Sequence, residues 1–241
     1  MKEKKEKQPL SFEYELNSFT DSDINIVCGT DEAGRGPLAG RVYAAAVILD
    51  VADEGKEYLQ MLDDSKKLTE KKRDMLRELI KKNAISFCVA YSEVEEIENT
   101  DILSASLAAM RKAINGLSAD RHLSQQELAL MDVEEIGGKA VTAQAVLVDG
   151  NQTRGFTIPA KAVIGGDGKS YSIAAASILA KTARDRYCYD ILDKQYPMYL
   201  FAKHKGYGTK AHYEAVDKYG LCEYHRKSFF KKYYESKHSE K

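Results

Sequence analysis

Apolar positions along the chain fall into two rhythms. Short runs rich in β-branched residues occupy residues 24–30, 42–49 and 85–91, each of strand length. A glycine-rich turn separates the first two, so their spacing predicts a β-hairpin. The charged stretch 65–82 reads as an exposed helix, and Asp101 stands where an N-cap belongs, ahead of the helix-periodic residues 102–114. Further apolar runs at 143–148 and 162–164 predict strands, the Ala-rich stretch 172–189 predicts a long helix, and several helical segments finish the chain. This order predicts an α/β domain, a mixed β-sheet flanked by helices with additional C-terminal helices.

Interruptions of the rhythm set the expected organisation. Residues 1–23, which open with KEKKEK, predict a flexible head; 24–230 form the folded domain and 231–241 a basic tail. Within the domain, residues 119–140 are polar, acidic and rich in Gln and Glu, and read as an insertion with some helical content. At 241 residues, with 44% apolar and 30% charged side chains, the chain can bury a real core as one large domain. No apolar run approaches the roughly 18 residues needed to cross a bilayer, and no signal-peptide pattern opens the chain. A soluble, cytoplasmic protein is expected. Cys28, Cys88, Cys188 and Cys222 lie far apart without a CxxC pair, which predicts reduced thiols rather than a zinc site or a disulfide framework.

Charge changes the picture only through its distribution. The net charge is −1, but the stretch from Ala202 onwards carries ten Lys and Arg against five Asp and Glu. Such a segment is either a solvated helical face or a surface that meets phosphates.

Three strand ends carry carboxylates: Asp31 and Glu32 after the first strand, Asp149 after AQAVLV, and Asp167 after AVIGG. A single strand-end Asp is as readily a turn former. Four brought to one sheet edge would repel one another unless cations compensate, and an all-oxygen ligand set suits Mg²⁺ or Mn²⁺. Two such ions can drive phosphodiester hydrolysis. Gly34, Arg35 and Gly36 follow directly and form a turn able to approach a ligand closely. Tyr207, between two glycines in HKGYGTKAH, is either packed on its loop or free to stack on a sugar or base.

Taken together, DEAGRGPLAG, DSKKL from Asp64, VDGN from Val148, the GD of Asp167, SIAAASILAKTARD from Ser172, HKGYGT from His204 and HRKSF from His225 resemble bacterial ribonuclease HII. The resemblance is ordered, runs from about residue 24 to 229, and is interrupted chiefly by 119–140. It implies a ribonuclease H-like fold. It also implies cleavage of the RNA strand in RNA–DNA hybrids and 5′ to ribonucleotides embedded in duplex DNA, leaving a 3′-hydroxyl and a 5′-phosphate, with Mn²⁺ or Mg²⁺ as cofactor and two ions during catalysis. By that resemblance Asp31, Glu32, Asp149 and Asp167 are the catalytic metal ligands, with Asp185 the rival for the fourth place. Gly34, Arg35 and Gly36 contact the ribose 2′-hydroxyl, Tyr207 stacks on the adjoining sugar, and Ser65, Lys66 and Lys67 meet substrate phosphates. Lys181, Arg184 and Arg226 could add positive charge there.

Arg41 departs from the pattern, which commonly has proline after PLAG. The acidic 119–140 stretch is expected to point away from a nucleic-acid groove. A monomer is expected, and no membrane partner. Two other classes compete: a different metal nuclease on the same fold, such as a Holliday-junction resolvase, and a non-catalytic nucleic-acid-binding module. The GRG turn and the tyrosine loop count against the first, and the intact carboxylate set against the second.

Overall fold

A computed structural model describes residues 9–239. Six strands, β1 (Val27–Ala33), β2 (Val42–Ile48), β3 (Ser86–Ser92), β4 (Val133–Gly138), β5 (Ala145–Asp149) and β6 (Ala160–Val163), form one sheet in the order β4-β3-β2-β1-β5-β6. Strands β1 to β4 pair antiparallel in sequence, whereas β5 pairs parallel with both β1 and β6. The sheet is mixed, as expected.

Helices cover both faces, and the strand period explains why. On β2, Tyr43, Ala45 and Val47 face a core shared with α1 (Glu70–Asn83) and the Ala-rich helix Tyr171–Tyr187. Alternate residues Ala44, Ala46 and Ile48 face Leu107, Met110 and Ala113 of α2 (Ile102–Gly116). Thr69 caps α1 by accepting from Lys72 N–H, and the buried pair Leu76 and Ile80 gives that charged helix its inner stripe. Asp101 caps α2 as expected, accepting from Leu103 and Ser104 N–H at 2.8 and 3.0 Å.

The Ala-rich helix, α3 (Tyr171–Tyr187), is buried almost all round. Its small side chains let it approach β1 closely, and Gly29 sets the limit of that approach. A Cβ at Gly29 would stand 2.4 Å from Ile173 N and from Ser172 C, both backbone atoms that cannot step aside. Ser170 caps α3, and the buried Glu15 carboxylate accepts from Ser170 Oγ at 2.6 Å and from Ser172 N–H at 3.0 Å. A carboxylate at a helix N-terminus is favoured by the exposed N–H groups and by the helix dipole.

That contact falls within the head expected over 1–23. Residues 1–8, with the KEKKEK run, lie outside the described residues, but Glu13–Asn17 is helical and Phe12 is buried against Tyr171, with ring centroids 4.9 Å apart. Apolar residues at Leu10, Phe12 and Phe19 anchor what the neighbouring charges suggested would be loose. The 119–140 stretch holds the expected helical piece, Gln125–Leu130 with a Ser124–Glu127 capping box, and also β4, which no periodicity announced. The basic tail is helical over Lys231–Ser239, and Tyr233 stacks on Tyr213 with centroids 4.4 Å apart. All four cysteines are free. No helix among the described residues is long and apolar enough to cross a membrane.

Gly29→Ala forces backbone apart at the closest strand–helix contact, a mismatch that typically costs about 1–3 kcal/mol. The expected outcome in denaturant unfolding is a loss in that range or an insoluble product. A loss below roughly 0.5 kcal/mol, the scatter of neutral surface changes, contradicts the tight α3–β1 contact.

Candidate active site

Parallel pairing of β1 with β5 places Thr30 opposite Val148, so Asp31 and Asp149 come next at one level on adjacent strands. The sequence put Asp31 and Glu32 just past a strand ending at residue 30. Instead β1 continues to Ala33, so both carboxylates are held by the strand itself. Asp149 Oδ1 accepts Gly166 N–H at 2.6 Å, which ties down the turn after β6, and the short Gly166–Gly168 helix then delivers Asp167.

The resulting cluster has the electrostatics of crowded acids. Burial, then the charges of Glu32, Asp149 and Asp167, hold the Asp31 carboxyl well above the usual carboxylate range. Burial also raises Glu32, opposed by Arg35, whose Nη1 lies 3.4 Å from Oε1. Asp167 is pushed up to about 6 by burial and then by Asp149 and Asp64. Burial works against the Lys66 ammonium, but Asp31, Asp167, Asp64 and Asp149 together hold its pKa above the ordinary lysine value. Asp64 is the site member that sequence reasoning missed. It accepts Lys66 N–H at 2.9 Å and pairs with Lys67 at 3.2 Å while facing Asp167. Its position opening DSKKL, between two strands that do not contain it, was the only signal.

Among the described residues no three acidic, His or Cys side chains are arranged tightly enough to hold a metal ion as they stand. Their oxygens accept from protein donors: Asp31 Oδ1 from Glu32 N–H, Asp149 Oδ1 from Gly166 N–H, and Glu32 Oε1 from Arg35. The donor chemistry still fits a hard divalent cation, being carboxylate oxygen throughout and short of positive charge.

A cleft of about 440 Å³ beside the cluster is lined by Glu32, Arg35, Gly36, Lys66, Lys181 and Tyr207, among others. Arg35 and Gly36 are exposed in the turn, whereas Gly34 is buried at φ 105°, where a Cβ would stand 2.4 Å from Arg184 Nε. That conformation and that contact both require glycine. Tyr207 is 45% exposed, and its Cε1 lies 3.5 Å from where a Gly36 Cβ would be. The two recognition candidates are therefore neighbours. In the 65–67 segment, Lys66 faces the carboxylates, Lys67 turns back to Asp64, and buried Ser65 exchanges a 2.7 Å hydrogen bond with Ser177 Oγ.

The expectation that two arginines add positive charge at the substrate needs correction. Arg226 and Arg184 are not free phosphate contacts, because both are fully buried. Arg226 donates to the carbonyls of Gly34, Arg35, Pro37, Gly40 and Arg41, and Arg184 to those of Lys205 and Ala39. Asp185, the rival fourth ligand, is held by Lys181 at 2.6 Å and Arg73 at 3.5 Å, and Asp31 feels Asp167 instead. Arg41 pairs with Glu93 and lies 3.9 Å above the Tyr91 ring, away from the carboxylates.

Comparison with known proteins finds relatives over most of the chain. The family model described as Ribonuclease HII matches residues 28–234. A protein named Ribonuclease HII from Laribacter hongkongensis is 47% identical over 205 residues, covering 84% of this chain and 90% of its own length. Another of that name, from Caldicellulosiruptor bescii, is 44% identical over 220 residues, covering 91% and 93%. The solved ribonuclease H2 from Pyrococcus horikoshii shares the fold, with a TM-score of 0.57 at 22% identity over 84% of this chain and 93% of that one. The mixed sheet with helices on both faces is accordingly ribonuclease H-like, and the chain belongs to the ribonuclease HII family of endoribonucleases.

Proposed function

We propose that the chain hydrolyses the RNA strand of RNA–DNA hybrids and cuts 5′ to ribonucleotides embedded in duplex DNA, leaving a 3′-hydroxyl and a 5′-phosphate. The observation that carries this reading is a cleft beside the crowded carboxylates, lined by Glu32 of that cluster together with the exposed Gly36 backbone and the Tyr207 ring. Asp31, Glu32, Asp149 and Asp167 would hold one or two Mg²⁺ or Mn²⁺ ions, which relieve the mutual repulsion of the acids. Bound there, such ions activate water and stabilise the leaving oxygen of an in-line displacement.

The chain's own residues do the remaining work. Asp149 orients the Asp167 turn through Gly166 N–H. Lys66, drawn towards four carboxylates, is placed to meet a phosphate that approaches them, with Ser65 and Lys67 fixing its loop. The Gly34–Arg35–Gly36 backbone offers amides and carbonyls to a 2′-hydroxyl, the one group that separates RNA from DNA at a given nucleotide. The Tyr207 ring stacks on the sugar beside it. We take the protein to act on nucleic acid as a monomer in the cytoplasm.

A duplex DNA with a single ribonucleotide, incubated with Mn²⁺ or Mg²⁺, is expected to be nicked on the 5′ side of that ribonucleotide, and chelator should abolish the cut. Nicking of all-DNA duplex at a similar rate, or no nicking with either metal, defeats the reading. Asp31→Asn should lower turnover by orders of magnitude while hybrid binding in a mobility-shift assay stays near normal; retained turnover removes Asp31 from the chemistry.

The raised carboxyl of Asp167 gives a prediction of definite sign. Its folded pKa of about 6 lies above the ordinary 3.8, so the folded state binds the extra proton in that window. Its contribution to stability is therefore undiminished at low pH and is lost as pH rises through about 6 in metal-free protein. In chelator at neutral pH, Asp167→Asn should melt a few degrees above the parent, and the gain should vanish near pH 4, roughly the unfolded carboxylate value. A variant that melts lower than the parent at neutral pH contradicts the crowding.

A further inference from the structure

We propose that His212 and His225 are positioning residues that fix Tyr207 against the Gly34–Gly36 turn, which Arg226 holds, and thereby set how well a single ribonucleotide is recognised. The proposal rests on assigning those two loops to ribose recognition. His225 and Arg226 are adjacent, both about 1% exposed or less, and each commits to one of the two loops.

Arg226 holds the turn. Its Nε donates to Gly40 O at 2.9 Å, Nη1 to Pro37 O at 2.8 Å and Arg35 O at 3.1 Å, and Nη2 to Gly34 O at 2.7 Å and Arg41 O at 3.2 Å. All five contacts go to main-chain carbonyls of one eight-residue loop, and none goes to a carboxylate. Burial, followed by repulsion from Arg184, lowers its pKa to about 9. Burying a guanidinium without a counter-ion is expensive, whereas a planar fork with fixed N–H directions is the side chain best able to specify one loop conformation.

His225 holds the tyrosine loop through a chain of hydrogen bonds whose direction is forced. Cys222 N–H can only donate, so His225 Nδ1, 2.9 Å away, is the acceptor and the His225 proton sits on Nε2. That proton points at His212 Nε2, 3.0 Å away, which must therefore accept and carry its own proton on Nδ1. His212 Nδ1 in turn donates to the Tyr207 carbonyl at 2.9 Å. His204 is fixed by the same logic. It accepts Gly206 N–H at Nδ1, 3.2 Å, and donates from Nε2 to Tyr199 O at 2.7 Å.

Two backbone groups of the tyrosine loop thus end on imidazoles of defined tautomer. The chain excludes charge, since a second proton on either ring of the 3.0 Å pair would set N–H against N–H. The groups facing the pair bring none: His204 stacked on His212, the Cys222 thiol, and Tyr199, Phe201 and Phe230. Burial pushes His212 and His225 down to about 4, in agreement with two neutral rings.

The main chain joins the two halves. Leu38 N–H donates to Gly206 O, Arg226 N–H to Leu38 O and Gly40 N–H to Tyr224 O, each at 2.8 Å, and Ala39 bridges His225. Lys205 is held at φ 52°, a conformation that persists only where surroundings impose it. Here they impose the direction in which Tyr207 leaves the loop.

The test compares His212→Leu, which deletes the donor to Tyr207 O, with His212→Asn, whose amide nitrogen can take the Nδ1 position. The readout is kcat/KM on a single-ribonucleotide duplex divided by that on a long RNA–DNA hybrid. Loss of one well-made hydrogen bond predicts a ratio about tenfold lower for His212→Leu, restored by His212→Asn. The same loss is expected in Tyr207→Ala, with no further loss in the Tyr207→Ala/His212→Leu double variant. Equal losses on both substrates, or no rescue by Asn, overturn the positioning role. An unimpaired Tyr207→Ala overturns the ribose-reading assignment and the proposal with it. An impaired Tyr207→Ala beside an unaffected His212→Leu overturns the positioning proposal alone. Imidazole ¹⁵N spectra of the unmodified protein provide a test independent of variant folding: Nδ1–H on His212 with Nε2–H on His225 and His204 supports the chain, and any other tautomer set overturns it.

Discussion

Two carboxylates fixed at the same level on adjacent parallel strands are the constraint around which the remainder of the molecule is arranged. Neighbouring strands lie roughly 4.8 Å apart, so Asp31 and Asp149 cannot separate without breaking the β1–β5 ladder. The sheet supplies the work of holding like charges together, and the α3 contact at Gly29 stiffens β1 two residues before Asp31, on the same face. Glu15 extends the same line of support, since it caps the helix that presses on that strand. The acids respond as crowded acids do, with raised pKa values and with oxygens turned to whatever donors lie near. Lys66 and Arg35 supply part of the missing positive charge. A site crowded with acids in this way is complementary to cations.

The side of the cleft formed by the Gly34–Gly36 turn and the Tyr207 loop is built on the opposite principle. There the buried charges are cations, Arg226 and Arg184, and their partners are carbonyl dipoles rather than acids. The arrangement has a chemical reason. An acidic counter-ion under the Gly34–Gly36 turn would add negative charge where a nucleic-acid backbone has to approach, whereas carbonyl partners leave the local field positive or neutral. Neutral imidazoles under Tyr207 follow the same rule. Loop conformation is specified on this side by hydrogen-bond direction, and on the acidic side by strand register.

What could be read from the sequence follows from whether the signal was local. Strand and helix cores were legible because burial on two faces imposes period, and Asp101 because a cap acts within its own turn. The four carboxylates were legible as strand-associated acids, although β1 runs through Asp31 and Glu32 rather than stopping before them. Strand β4 was not legible: it carries only Val133 and Ile136 as large apolar residues amid acids and glycines, and it exists because β3 offers it an edge. The docking of Phe12 and Glu15 was masked by the charge of the preceding residues. Arg226 was misread because a sequence gives the sign of a side chain and not its depth. His204 and His212, the two ends of HKGYGTKAH, and His225 of HRKSF meet only through tertiary folding, and neither motif carried a mark of that meeting beyond its residues.

The near-zero net charge is reconciled with a nucleic-acid substrate by where the charges lie. In the 119–140 stretch, Glu135 is taken by Arg77 and Lys81, and Asp132 pairs with Lys112 at 2.9 Å, so much of the acidity is neutralised locally. The strand that carries Glu135 is three positions from β1 across the sheet, about 14 Å at ordinary strand spacing. Exposed charges at that range are already screened at physiological salt, where the Debye length is about 8 Å. A phosphate at the cleft therefore responds to Arg35, Lys66 and Lys181 and not to the distant acidic edge. The sum over the chain averages two surfaces that a substrate never meets together, and the local field at the cleft is the quantity that governs binding.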